Sequence, residues 1–289
     1  MITVEGNAKI NLTLDILGKR PDGFHEVAMV MQSVSLHDTL TFAKIPEGIE
    51  LTLDVPGLEA DEKNLAWRAA ALLLREKNVR GGVRIDLTKR IPIAAGLAGG
   101  SADAAAALRG VNALYDLGLT LSELCVYGAK LGSDIPFCLM GGTMLATGRG
   151  EILKELPAVP SFWVVLIKPK ISVSTAWAYQ NYDAHGAEKH PENAAVCEKI
   201  AAQDRKGIAS LLCNVLESVT IKKYPVIAQY KDWLLKKGAM ASMMSGSGPT
   251  VFGLFADKTA AEEAAAALRG QTDADIFVCQ TAGKNKDQN

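Results

Sequence analysis

Residues 92–102 read Pro92-Ile93-Ala94-Ala95-Gly96-Leu97-Ala98-Gly99-Gly100-Ser101-Ala102 and run straight into an alanine-rich stretch whose composition favours helix. Glycines at a helix mouth let the backbone approach a ligand and present unpaired N–H groups at the positive end of the helix dipole, which makes an anion cradle. Neither G-x-x-x-x-G-K-[ST] nor G-x-G-x-x-G occurs here, so the loop is not a Walker A or dinucleotide fingerprint. The same glycines would also suit a flexible turn that eases close packing. Ser101 either caps the helix, the simpler role, or faces a phosphate-bound Mg²⁺.

A second small-residue turn, Ser245-Gly246-Ser247-Gly248-Pro249-Thr250, falls between two expected strands and holds more Ser and Gly than a tight β-turn needs. Two such loops in separate domains would hold a triphosphate in the cleft between them. In Asn7-Ala8-Lys9-Ile10-Asn11-Leu12, period-two alternation puts Asn7, Lys9 and Asn11 on one strand face, which is either a solvated side or a polar site. Asp134 lies between a helix terminus and the apolar Ile135-Pro136-Phe137, a setting that tends to bury a carboxylate, and Lys9 is a candidate partner for it.

Elements must carry these residues. Alternating, β-rich sequence covers residues 2–4, 10–16, 27–34, 38–42 and 49–53, and a helical pattern follows over 64–77, then a strand over 83–87. The alanine-rich helix is expected over 102–117. A second helix starts at Thr120, which with Glu123 forms an S/T-x-x-E capping box, and ends near Gly132. Residues 140–147 read as a returning strand. After Pro157 and Pro160 come a strand over 163–167, helical stretches over 192–212 and 225–237, strands over 239–244 and 250–255, a helix over 259–268 and a strand over 275–279. Collapsing the helical pair gives β-α-β-β-α-β, the order of a ferredoxin-like sandwich. Two domains are therefore expected, 1–155 and 156–289, with residues 284–289 a polar, fraying end.

The 289 residues are 48% hydrophobic and 22% charged, which suits an ordinary globular chain and excludes disordered or fibrous classes. Thirty-one Lys and Arg against 32 Asp and Glu give a net charge of −1, so no global field recruits nucleic acid or an acidic membrane. Cys125, Cys138, Cys197, Cys213 and Cys279 are odd in number and never form C-x-x-C, as expected of small core residues in a reducing compartment. Residues 1–5 enter strand-like sequence with no basic and apolar leader, and no run approaches the roughly 18 apolar residues of a membrane span, so a cytoplasmic chain is expected. The expected state is a monomer or weak homodimer, without a sequence feature that sets it.

Taken together, these segments resemble the GHMP kinase superfamily, whose signature is a glycine-rich phosphate loop in place of a Walker loop. Residues 92–102 carry that resemblance. The run A-K-I-N-L-T-L-D-I-L-G-K-R-P-D-G-F-H-E over 8–26 is similar to one branch of it, the kinases of 4-diphosphocytidyl-2-C-methyl-D-erythritol (CDP-methylerythritol) in the non-mevalonate route to isoprenoid precursors. L-G-S-D-I-P-F over 131–137, G-R-G-E-I-L over 148–153 and S-G-S-G-P-T over 245–250 extend the resemblance along the whole chain.

The resemblance implies an α+β, two-domain GHMP kinase fold: an N-terminal ribosomal-protein-S5-domain-2-like α/β domain plus a C-terminal ferredoxin-like α/β sandwich. It implies ATP and Mg²⁺ as cofactors and phosphorylation of the substrate's 2-hydroxyl, with Asp134 as general base and Lys9 orienting it and screening charge. It implies that residues 92–102, with Asn64 and Leu65, hold the nucleotide. Asn11, Phe24, His25, Thr175 and Tyr179 would hold the cytidine diphosphate end, with Phe24 and Tyr179 offering faces to the base, and Ser245, Gly246, Ser247 and Gly248 would complete the site. Phe24 stands where the family usually has Tyr, and Val215 of Asn214-Val215-Leu216-Glu217 where it usually has Asp. A different small-molecule kinase of the superfamily, or a non-catalytic nucleotide-binding protein on the same fold, are the rival readings.

Overall fold

The structure, a computed structural model, describes residues 1–285. One strand organises the N-terminal half. After β1 (Ile2–Asn11) and β2 (Thr13–Lys19), β3 runs unbroken for 21 residues over His25–Ile45 and pairs antiparallel with both of them. It also pairs with β5 (Gly82–Thr88) and β6 (Thr143–Thr147), while β4 (Ile49–Leu53) lies parallel to β5 and β7 (Ile152–Glu155) antiparallel to β6. The expected strands over 27–34 and 38–42 are thus one strand. Ser33, Ser35 and His37 break the apolar pattern between them, but backbone pairing carries the strand through.

Helix α1 (Leu65–Glu76) starts where Asn64 caps it, its Oδ1 accepting from the N–H of Ala66 at 2.9 Å. Helix α2 (Gly99–Leu114) buries Ala102 and Ala104–Ala107 completely or nearly so, and these small side chains let it lie close on the sheet. The approach is tight: a Cβ on Gly6 of β1 would sit 2.6 Å from the carbonyl oxygen of Ala102. Helix α3 (Leu121–Ala129) opens on the expected Thr120/Glu123 capping box, and α4 (Ile135–Met140) follows Asp134.

The second sheet holds β8 (Trp163–Lys168), β10 (Ala241–Met244), β11 (Val251–Phe255) and β12 (Asp275–Gln280), in the order β10-β11-β8-β12 and antiparallel throughout, which is the ferredoxin-like arrangement. Between β8 and β10 come α5 (Thr175–His185), α6 (Asn193–Ala201), α7 (Arg205–Ser210), the two-residue β9 (Cys213–Asn214), α8 (Glu217–Lys223) and α9 (Val226–Lys236); α10 (Lys258–Leu268) precedes β12. The single helical stretch expected over 192–212 is therefore two helices, because Asp204 caps a fresh start through the N–H of Gly207. Helices α5 and α8 are additions to the sequence reading.

The halves interlock: β9 pairs parallel with β2, Thr281 bridges to Val34 of β3, and Lys284 bridges to Gly141. Lys284 and Asn285 are bonded into the fold rather than frayed, and 286–289 lie outside the described residues. Among the five free cysteines Cys138, Cys213 and Cys279 are buried and the other two half-buried. Among the described residues no helix is long and apolar enough to cross a membrane.

Candidate active site

A β-bulge builds the centre of the site. The pairing of β1 with β3 shifts register between Asn7, opposite His37, and Lys9, opposite Ser33, with the extra residues on β3; Asn7 does not join Lys9 and Asn11 in the cleft. At this irregularity the backbone N–H of Lys9 donates to the carbonyl of Leu97 in the glycine-rich loop, at 3.1 Å. The side chain follows. Lys9 Nζ donates to Asn11 Oδ1 at 2.7 Å and to the carbonyl of Gly96 at 3.1 Å, with only 5% of the residue exposed. Burial pushes the lysine pKa down, and the Asp134 carboxylate opposes that shift.

Asp134 stands on the cleft wall as the residue before α4, half-buried rather than buried as its apolar sequence neighbours suggest. Among the described residues its carboxylate has no hydrogen-bond or ion-pair partner, and it lies in Coulombic reach of Lys9 without pairing to it. An unengaged carboxylate facing a cleft opposite a buried ammonium is equipped to accept a proton from a bound hydroxyl.

The loop takes a specific shape. φ is positive at every second residue, Ala94 (50°), Gly96 (74°) and Ala98 (58°), while Ala95 and Leu97 stay on the ordinary side. Alternating handedness of this kind suits an anion nest, in which successive N–H groups turn into one concavity. Left-handed alanines cost about 1–2 kcal/mol each, strain of the kind that gathers at functional sites. The N-cap of α2 is Ala98, so Ser101 lies inside the first turn and does not cap the helix. Gly96 leaves room for the other half of the chain: a Cβ there would sit 2.3 Å from the carbonyl oxygen of Ser245.

The two glycine-rich turns therefore touch. Ser245 Oγ donates to the Gly96 carbonyl at 3.0 Å, and the second turn is held from behind by Asn214, whose Nδ2 donates to the carbonyls of Met244 and Gly246. Glu217 accepts from the N–H of Met244 and pairs with Lys231. The Asn214–Glu217 segment is thus a buckle for that turn, with Val215 buried in the core.

Around this contact opens a cleft of about 990 Å³. It brings together Lys9, Asn11, Phe24, His25, Asn64, Leu65, Asp134, Thr175, Tyr179, Gly246, Ser247 and the loop residues Pro92–Gly96 and Ala98–Ser101. Four sequence candidates do not reach it: Leu97, Ala102 and Ser245 are buried in the packing behind, and Gly248 lies off the lining. Thr175 and Tyr179 sit one turn apart on α5, and Thr175 Oγ1 meets Ser247 Oγ at 3.0 Å. The Tyr179 ring packs at 4.9 Å and 43° on His25, whose Nε2 bonds Asp183 at 2.7 Å; burial pushes the Tyr179 phenol up. Phe24 is 52% exposed, with the Arg149 guanidinium 5.0 Å from its ring centre. Asn64 uses both ends of its amide locally, on Ala66 and on the Glu59 carbonyl.

The sequence reading missed several lining residues: Lys19, Arg149, Asp183, Gln180, Lys89 and Asp103. Lys19 and Arg149 lie inside motifs already quoted, G-K-R-P and G-R-G, whereas Asp183 and Gln180 depend on recognising α5. Residues 186–193 cross β2 as a pinned strap, His190 Nδ1 lying 2.6 Å from Asp15 and Asn193 accepting from Thr13.

Residues 64–142 match the family described as GHMP kinases N terminal domain, and residues 194–273 match GHMP kinases C terminal. The chain is 48% identical over 285 residues, 98% of both chains, to a 4-diphosphocytidyl-2-C-methyl-D-erythritol kinase of Geobacillus kaustophilus. A crystal structure of 4-(cytidine 5'-diphospho)-2C-methyl-D-erythritol kinase superposes with a TM-score of 0.83 at 32% identity, covering 98% of this chain and 100% of that one. A homoserine kinase from Cytophaga hutchinsonii shares the fold at TM-score 0.76 and 19% identity, covering 98% of this chain and 96% of its own.

Proposed function

Because the chain belongs to the 4-diphosphocytidyl-2-C-methyl-D-erythritol kinase family of GHMP kinases and is an ATP-dependent small-molecule kinase, we propose that its acceptor is CDP-methylerythritol, phosphorylated on the 2-hydroxyl. ADP and the 2-phosphate are the products, in the non-mevalonate route to isoprenoid precursors. The observation that carries this reading is the single cleft where an unpaired carboxylate, a buried lysine, an anion nest and the α5 face with Thr175 and Tyr179 meet.

Phosphoryl transfer spreads charge over the γ-phosphoryl oxygens, so the protein's task is positioning and charge stabilisation. The nest over residues 94–98 and the first N–H groups of α2 hold the triphosphate. Asp134 accepts the proton of the 2-hydroxyl as its oxygen bonds to phosphorus and the bond to the ADP oxygen breaks. Lys9, fixed by Asn11 and Gly96, screens charge across the cleft. Among the described residues no cluster of three His, Cys, Asp or Glu could hold a metal. Ser101, in the first turn of α2 on the cleft lining, would help hold a Mg²⁺ bound with the nucleotide, which would supply charge neutralisation at the phosphates. His25, Tyr179, Phe24, Thr175 and Asn11 receive the cytidine diphosphate end. Residues 1–155 and 156–289 act as two domains that each bring one glycine-rich turn to the nucleotide.

ADP release with Mg·ATP and CDP-methylerythritol, measured beside mevalonate and homoserine, tests the reading. Release with the cytidine substrate alone is expected; release with either of the others instead, or with none, overturns the substrate assignment.

A further inference from the structure

Beneath the glycine-rich loop lies a buried cluster that the mechanism above does not use. Lys89, just after β5, places Nζ 2.5 Å from Asp38 Oδ2 of β3 and 2.7 Å from Asp103 Oδ2 of α2, and all three side chains are 5% exposed or less. Asp38 Oδ1 accepts from the backbone N–H groups of Arg90 and Ile91, the two residues that lead into the loop. Asp103 lies on the first turns of the helix into which the loop runs. The cluster therefore grips the loop at both ends, and the Lys89 ammonium passes under Gly99, 3.4 Å from where a Cβ would stand.

For the fold alone this is a poor arrangement. Two carboxylates share one ammonium in a buried setting, and Asp103 Oδ1 has no hydrogen-bond partner among the described residues. A neutral Lys89–Asp38 pair would satisfy β3 and β5 without Asp103. What Asp103 adds is a tether between the incoming strand and the outgoing helix, across a loop that holds strained left-handed residues in a fixed shape.

We propose that Lys89, Asp38 and Asp103 are positioning residues of the phosphoryl transfer, a hydrogen-bonded bridge that keeps residues 92–102 shaped for the nucleotide's phosphates before ATP arrives. Preorganisation of this kind lowers the ordering cost that binding must otherwise meet. The proposal rests on the reading of residues 92–102 as the nucleotide loop.

Asp103→Ala tests it, because that change leaves a neutral ion pair behind. The expected result is a KM for Mg·ATP raised about tenfold, with kcat and the acceptor KM within about threefold, and a melting temperature no lower than the parent's. Asp103→Asn keeps an oxygen for Lys89 and is expected to restore the ATP KM to within about threefold of the parent. An unchanged ATP KM in Asp103→Ala, an equal loss toward both substrates, or a chain that fails to fold overturns the bridge as a positioning device. Hydrogen exchange of the parent protein separates this from the underlying reading. Absence of ATP protection over residues 92–102 would overturn the loop assignment itself, whereas protection there with an unchanged ATP KM in Asp103→Ala overturns the bridge alone.

Discussion

At the scale of single residues, the proposed chemistry rests on how differently two charges, Lys9 and Asp134, are held. Lys9 is enclosed and hydrogen-bonded, while Asp134 keeps its carboxylate unengaged on the cleft wall. Asp134→Asn keeps the shape and removes the base, so kcat should fall about 10³-fold with substrate KM values changed only a few-fold, read from steady-state ADP release. Near-parental turnover would remove Asp134 from the base role. Asp103 yields a prediction in pH. Burial pushes its carboxyl from an ordinary 3.8 up to about 7 against the pull of Lys89. Between those values the folded chain holds a proton that the unfolded chain has released, so this group makes stability fall as pH rises from about 4 to about 7. Asp103→Asn removes that slope, and thermal unfolding across the range should show the variant gaining on its parent toward pH 7; parallel curves would refute the shift. Residue types and spacing were enough to single out Lys9, Asn11 and Asp134. They did not reveal that Asn7 lies off the cleft lining, or that Lys89 pairs with Asp38 and Asp103, because both depend on how segments far apart in the chain come together.

At the scale of elements, the loop is shaped by contact as much as by its own residues. Gly96 combines a left-handed φ of 74° with the Ser245 carbonyl where its side chain would be. Gly96→Ala should therefore cost about 1–3 kcal/mol and raise the ATP KM, because the two turns must separate to admit the methyl group. Thr120→Ala is the contrast: it removes the capping box of α3, away from the cleft, and should cost about 1 kcal/mol in denaturant unfolding while leaving the ATP KM alone. Equal effects of the two changes on KM would mean that the Gly96 contact has no special bearing on the nucleotide. The capping box was legible because its signal is local, three residues apart. Helix α5 was not, since only Ala178 and Tyr182 of its eleven residues are buried and no apolar stripe marks a face. Its other aromatic residues face the cleft or neighbouring side chains, Trp177 meeting the Tyr224 ring edge-on. The fusion of two expected strands into β3 has the same origin, as hydrogen bonds to β1, β2, β5 and β6 outweigh a polar interlude.

At the scale of the whole molecule, the order of the C-terminal strands and helix was readable from alternation and turn residues, but the crossings that join the halves were not. A two-residue strand and a polar tail carry no pattern of their own. Yet the tail reaches α4. Asn285 donates from Nδ2 to the carbonyls of Cys138 and Leu139 and from its backbone to Met140, while Lys284 Nζ pairs with Glu155. These bonds satisfy carbonyls that the C-terminal end of α4 would otherwise leave open, and α4 is the helix that begins just after Asp134. Asn285→Ala removes both side-chain bonds and should cost about 1–2 kcal/mol. For a chain of this size each kcal/mol corresponds to a melting-temperature loss of roughly 2–4 °C. Because Asp134, the proposed base, stands at the far end of α4, kcat should fall a few-fold while the ATP KM stays at its parental value, the proposed nucleotide loop being anchored elsewhere. A melting temperature and kcat both unchanged in Asn285→Ala would show that α4 keeps its place, and Asp134 its aim, without the tail.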